Sequence, residues 1–273
     1  MSTRDLCQLS GLARAGLYRK PKPESEHARR VRQAIVNAAL DHPAYGTRRT
    51  THQLRRQKLT VNRKRVQRVM REENLLRRSR RGARQTTDCT HEPRRYPNLA
   101  REFRPTGPNQ LWGSDISYVR LRNHFVYVAV VLDVFSRRAV GWAVGPNRKT
   151  ELPLAALTEA LSSRCPAPGW MHHSGQGSRY ASEAYVATPR QGGAKISMSR
   201  KGRPRDNAFV ESFFKTLKTE EVEWNEYESL SEAQARIGAY IEREYNRTRL
   251  HSSLGYRSPE EYERLWEEAA DAA

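Results

Sequence analysis

The stretch Phe125-Val-Tyr-Val-Ala-Val-Val-Leu-Asp133 constrains this chain more than any other. Eight apolar residues run without a polar break, and four of them are valine. β-Branched and aromatic side chains favour extended backbone. A strand that is apolar on both faces has to be covered on both faces. The fold therefore needs a sheet with a packed layer on each side. Flanking sequence supplies the rest of that sheet. Residues 112–119 and 139–144 also read as strands, the second after a Ser136-Arg137-Arg138 turn. Residues 150–162 predict a helix with Leu154, Leu157 and Leu161 on one side. Residues 170–173 form a short strand that enters a glycine-rich loop at 174–178. A helix starts at Ser182, but Pro189 sits badly near its end, and 196–198 is a short strand. Residues 206–218, 231–245 and 258–268 complete the chain as helices, the last two opened by Ser231 with Glu232 and by Ser258-Pro259-Glu260. Three adjacent strands followed by alternating helix and strand predict an α/β fold, a mixed sheet flanked by helices.

The charge is unevenly spread. Residues 1–100 carry 25 basic and 8 acidic side chains, a net of +17, whereas residues 101–273 carry 24 and 22. The basic front is also segmented into helices, which points to a polyanion-binding region attached to the α/β part. Residues 5–19 read as two short helical pieces around Ser10-Gly11, a helix-turn-helix-like pattern. Residues 26–40 place Val31, Ile35, Ala38 and Ala39 on one face, with Arg29, Arg30 and Arg32 outside. Pro43 stops that helix, and another starts after Tyr45-Gly46. A short basic helix follows, with Asn62 as its N-cap and Val66, Val69 and Met70 on its apolar face. The expected organisation is a helical DNA-binding region over 1–76, a basic, proline-containing linker over 77–104, a core over 105–220 and a C-terminal helical extension over 221–273. No apolar run approaches the roughly 18 residues of a membrane span, and the first residues lack the apolar stretch of a secretory signal. Cys7, Cys89 and Cys165 are odd in number, far apart and form no C-x-x-C pair, which argues against a disulfide framework and a cysteine zinc site. A reducing cytoplasm fits.

Two carboxylates invite a chemical reading. Asp115 interrupts a strand-like segment, where aspartate is unfavourable. Taken alone, it reads equally as a strand-end or capping residue. Glu211 lies on an apolar helix face beside Phe214, and alone it reads as a solvated helix residue. The surrounding motifs change that reading. Trp112-Gly-Ser-Asp115-Ile-Ser-Tyr118 resembles the first acidic motif of bacterial DDE transposases. Val131-Leu-Asp133-Val-Phe-Ser136-Arg137 with Val140-Gly-Trp142 resembles the next strand pair, and His173-Ser-Gly-Gln-Gly-Ser-Arg-Tyr180 the second motif. The third is matched by Ser197-Met-Ser-Arg-Lys-Gly202, Asp206-Asn-Ala208 and Glu211-Ser-Phe213. Tyr245-Asn246, Arg249, His251 and Leu254-Gly-Tyr256-Arg-Ser-Pro259 resemble the tail. His42-Pro-Ala-Tyr45-Gly46, Arg48 and Val61-Asn-Arg-Lys-Arg-Val66 resemble the front domain. On these motifs the chain is similar, over nearly its whole length, to the second-frame proteins of the insertion sequence 3 family, relatives of retroviral integrases.

The resemblance implies an RNase H-like core, in which three carboxylates hold two magnesium (or manganese) ions. In-line displacement at phosphorus gains from one ion that activates the attacking oxygen and another that stabilises the leaving oxygen. Hard oxygen ligands suit magnesium. Carried onto this chain, the family pattern puts the first Asp at Asp115 and the Glu at Glu211. The second Asp falls at Gly175, with 35 residues between it and Glu211, the family's spacing. Glycine supplies no ligand, so metal binding is expected to be weak and the chemistry impaired. No acid stands near enough in sequence to substitute, and imidazole at His173 is a poor magnesium ligand. Pro189 and Gly192-Gly193 interrupt what the family pattern makes one helix, and a decayed copy of a mobile element accounts for all three changes.

Other residues carry lesser expectations. Asn207, one turn before Glu211, reads as a residue that orients Glu211 or as a plain helix-start Asn. His172 and His173 read as packing and hydrogen-bonding residues. Candidate DNA contacts are Arg48, Arg49, Arg63, Lys64, Arg65 and Arg68 in the front region, and Lys201, Arg203 and Arg205 in a loop before the Glu211 helix. Arg65 and Arg68, three residues apart, share a helix face. Tyr245, Asn246, Arg249 and His251 read as DNA-facing or structural. The implied partners are double-stranded DNA, as inverted terminal repeats and as target, a first-frame helix-turn-helix protein, and further copies of the chain on DNA. The implied location is the bacterial cytoplasm, at the nucleoid. Two functions follow: metal-dependent cutting and joining of DNA at the repeats, or DNA binding without chemistry, as a remnant or regulator.

Overall fold

The structure, a computed structural model, describes residues 2–11, 13–18, 24–76 and 96–272. The basic run Arg77, Arg78, Arg80, Arg81 and Arg84 lies outside the described residues, as does Cys89. Two compact units divide the chain, residues 1–78 and 79–273.

The first unit is helical. α1 (Thr3–Ser10) opens on a capping box between Ser2 and Asp5 and ends at Gly11, whose φ of 66° favours a residue without a Cβ. α2 (Arg14–Leu17) follows. α3 (Glu26–Asp41), α4 (Thr47–Arg56) and α5 (Arg63–Glu72) form a three-helix cluster. Ser25 caps α3, and the Asn62 side chain accepts the Lys64 N–H to cap α5. The faces read from periodicity are the faces buried: Val31, Ile35, Ala38 and Ala39 pack with Leu54, Val66, Val69 and Met70. Arg32 reaches across to Glu72 and Glu73 at the end of α5.

The second unit is a five-stranded sheet in the order β3-β2-β1-β4-β5. β1 (Leu111–Arg120), β2 (Phe125–Asp133) and β3 (Ala139–Gly145) run antiparallel, and β4 (Met171–Ser174) and β5 (Lys195–Met198) run parallel to β1. β2 is buried from Val128 onwards, as its composition requires. One face carries α6 (Glu151–Arg164) and α7 (Glu183–Gln191), packed on Trp112, Ala129, Val131 and Trp170. α8 (Ala208–Glu220), α9 (Leu230–Ala239) and the wide helical turns of Tyr240–Thr248 cover the other, on Val119, Val128, Val130 and Leu132. α6 comes so close to β3 that a Cβ on Gly141 would lie 2.1 Å from the Ala156 carbonyl oxygen. α10 (Pro259–Asp271) closes the chain, capped by Ser258. The mixed sheet with helices on both faces is the RNase H-like arrangement.

Three local expectations need correction. Pro189 does not interrupt its helix: α7 runs through it to Gln191 and stops at Gly192, so only the glycines break the segment before β5. α9 is capped by Ser229, which accepts the Glu232 N–H, not by Ser231. Residues 96–104, read as linker, lie along the β5 edge, where Met198 N–H donates to Pro97 and the Ser197 hydroxyl accepts from Leu99 and Ala100. That segment supplies the edge with partners that would otherwise face another chain.

Candidate active site

Asp115 and Glu211 are brought to one face of the sheet by different elements. Asp115 shares the α8 side of β1 with Gly113, two residues before it, and α8 packs against that side. The Asn207 amide donates to the Ser114 carbonyl at 3.1 Å, which fastens the start of α8 to the backbone beside Asp115. Asn207 therefore acts on the strand: its hydrogen bond goes to β1, not to Glu211. The amide sits at the helix start, level with the strand, while Glu211 lies a turn further on.

Burial pushes the Asp115 carboxyl up to about 6. The Ile116 N–H opposes this, the Glu211 charge adds to it, and Lys218 opposes it again. Partial burial also raises Glu211, which remains exposed. Lys218 stands seven residues after Glu211, two turns along the same helix, and its Nζ lies 4.4 Å from the Tyr118 ring centroid. Burial lowers its pKa, against the pull of Asp115. Lys218 was not identified from the sequence, although the seven-residue spacing was there to find.

Gly175 is the position at which the sequence motifs lead one to expect a third carboxylate. Strand pairing ends at Ser114 with Ser174, so Gly175 leaves the sheet level with Asp115. A Cβ built on Gly175 meets nothing within 4 Å, and its φ is not left-handed. No packing or backbone demand explains a glycine there.

His173, two residues earlier, is buried, and its Nδ1 and Nε2 lie 2.8 and 3.1 Å from the hydroxyls of Ser197 and Ser199. Burial holds its pKa down to about 4, against the pull of Asp206. A neutral imidazole with both nitrogens engaged is a structural group. His172 faces the other side, with Nε2 3.0 Å from the Tyr185 hydroxyl. Among the described residues no three His, Cys, Asp or Glu side chains come together as a metal site. Of the three carboxylates expected to hold two ions, the described residues offer Asp115 and Glu211, a donor set too small to fit a two-ion centre.

Basic groups border these carboxylates. Lys201, Arg203 and Arg205 are exposed in the loop before α8. That loop is fastened by Arg200, whose guanidinium donates to both oxygens of Asp206, while Asn98 donates to Oδ2. The Arg200 contact holds the Asp206 carboxyl far below the usual carboxylate range. In the first unit Arg48, Arg63, Lys64 and Arg68 are exposed. Arg49 donates to the Ala44 carbonyl and Arg65 to the Ala28 carbonyl, so these two are turned onto the unit's own backbone.

The tail residues left open by the sequence are interior. Asn246 pairs with both the N–H and the carbonyl of Ala139 on β3. Arg249 grips Glu220 at the end of α8 at 2.7 and 3.0 Å, and His251 packs edge-on against Tyr245. These four hold the C-terminal extension onto the sheet and α8.

Comparison with known proteins agrees with this architecture. Residues 105–204 and 192–259 match models described as integrase core domain, and residues 26–83 match an HTH-like domain. An insertion element IS600 31 kDa protein of Shigella sonnei is 36% identical over 97% of this chain and all of its own length. The transposase for insertion sequence element IS904 of Lactococcus lactis is 36% identical over 91% of this chain and 99% of its own. Transposase InsF for IS3A of Escherichia coli is 34% identical over 96% and 94%. A solved HTLV-2 integrase catalytic core in complex with magnesium superposes with a TM-score of 0.47 at 14% identity, over 59% of this chain and 99% of its own.

Proposed function

Because the chain belongs to the IS3 family of transposases, we propose that it binds double-stranded DNA at inverted terminal repeats and target, with its DNA-cutting site impaired at Gly175. The observation that carries this reading is the open space at Gly175, level with Asp115 where strand pairing ends. Two of three acidic positions keep their residues, and the third has lost its side chain with no compensating contact. An incomplete donor set weakens the grip on magnesium or manganese, and the reaction weakens with it.

Phosphates are bound by Arg48, Arg63, Lys64 and Arg68 in the HTH-like unit, and by Lys201, Arg203 and Arg205 beside the acidic site. Lys218 neutralises charge next to Asp115. The chain works as a multimer on paired DNA ends, with the first-frame helix-turn-helix protein as a partner. A chain that occupies the ends without cutting them acts as a competitor of intact transposase, and Gly175 is the observation that favours this second role.

The test is strand cleavage on DNA carrying the element's ends, with magnesium or manganese, for the chain and for Gly175→Asp. Cleavage by the variant alone is the expected result. Manganese should also raise the melting temperature of the variant and leave that of the parent chain unchanged. Equal cleavage by both would overturn the reading, since another group would then complete the site.

A further inference from the structure

A cleft of about 380 Å³ opens beside the acidic site, on the same face of the sheet. Its floor residues are spaced one step behind the site residues. Gly113 is two residues before Asp115, His173 two before Gly175, and Ala208 one turn before Glu211. Strand and helix periodicity put each of these on the same face as its successor. The cleft therefore lies on the face that carries the acidic site, one step away along each element.

The cleft has an aromatic wall and a cationic rim. Phe209 is 42% exposed, and the Arg137 guanidinium covers its ring at 3.8 Å. Phe103, 36% exposed, lines the cleft from the 96–104 segment. Leaving two phenylalanines open to water in one concavity is costly, and such surfaces mark ligand sites. Arg101, Arg104 and Arg205 stand around them, and none is in an ion pair among the described residues. The carboxylate in the lining, Asp206, is already held by Arg200 and Asn98. An open phenyl face backed by guanidinium suits a planar, electron-rich ring, and exposed arginines suit a phosphate, although Arg104 also donates through one nitrogen to the carbonyls of Arg101 and Phe103.

We infer that this cleft takes one unpaired nucleotide of a DNA strand whose neighbouring phosphate lies at the acidic site. Its base stacks on Phe209 and Phe103, and its phosphate meets Arg104, Arg101 and Arg205. The inference rests on the DNA-binding reading above, but not on cleavage. A helical duplex buries its bases in the stack, so only an unpaired nucleotide offers a ring to the phenylalanines.

The test uses the full chain and short duplexes of one sequence, blunt or with a two-nucleotide overhang of either polarity. 2-Aminopurine occupies the overhang, and total binding is followed by anisotropy of a distal label. One overhang should bind about tenfold more tightly than the blunt duplex, as one stacked base predicts. Its 2-aminopurine should be quenched. Phe209→Leu and Arg104→Gln, both at exposed positions, should each remove the preference and leave blunt-duplex affinity within about twofold. Binding of all duplexes alike, with no quenching, would overturn the cleft's role and leave the DNA-binding reading standing. Failure of every duplex to bind would overturn both. Quenching that survives both variants would place the base elsewhere and overturn the inference.

Discussion

Asp115 is a carboxylate held in a place that disfavours its charge. Burial raises its pKa to about 6, from an ordinary 3.8. Between those values the folded chain binds more protons than the unfolded chain, so stability falls as pH rises through the window. Asp115→Asn should therefore stabilise the chain at pH 7, by about 1 kcal/mol once screening of this half-buried group is allowed for, and have little effect below pH 3.5. Urea melts at the two pH values measure this, and a variant that loses stability at pH 7 would contradict it. Gly175 needs a different argument. Its backbone is ordinary and its surroundings are open, so Gly175→Asp adds no strain. It does add a third negative charge near Asp115 and Glu211, and the variant should be less stable than the parent until a divalent cation is supplied.

α8 is fixed at both ends. Asn207 ties its start to Ser114, and Arg249 grips Glu220 at its end, where the side chains are 13% and 7% exposed. Breaking a buried pair on one side leaves the other charge uncompensated, at about 3–5 kcal/mol. Arg249→Ala should lower stability by about that amount in a denaturant melt, whereas Arg264→Ala, in an exposed helical pair, should cost under about 0.5 kcal/mol. Similar losses for both would show that the Arg249 pair is solvated. α10 is held by the same kind of contact. Buried Glu263 receives both ends of the Arg164 guanidinium, together with Arg138 and Ser136. The C-terminal extension is thereby part of the core: it fixes α8, and α8 presents Glu211.

Charge is partitioned along the whole molecule. Residues 1–100 carry a net of +17, and the remainder is close to balanced. Counter-ion release makes DNA affinity fall with salt, with a logarithmic slope of about −0.9 per phosphate neutralised. The full chain should lose about a thousandfold in affinity between 50 and 200 mM salt, while a fragment of residues 96–273 should show a much shallower slope. Titrations of labelled duplex at several salt concentrations test this. Equal slopes would move the phosphate contacts onto the sheet unit. No helix among the described residues is long and apolar enough to cross a membrane.

Periodicity made the elements legible. The β2 run fixed its own extent to the residue, and the buried faces of α3 and α5 followed from spacing alone. Motif spacing also singled out Asp115, Gly175 and Glu211 as positions of one site. Local sequence carries this much because strand and helix alternation is a property of neighbours. What local pattern does not carry is the destination of a long side chain. Arg49 and Arg65 turned inward to backbone carbonyls, Asn207 reached β1, and Asn246, Arg249 and His251 went to the interior. The contacts of Arg65, Asn207, Asn246 and Arg249 join elements that the chain order keeps apart, and each replaces water lost on packing. The sequence by itself determined the layers and the basic front. Only the tertiary structure decided which charges stay in water, because that depends on what each side chain meets when the layers close.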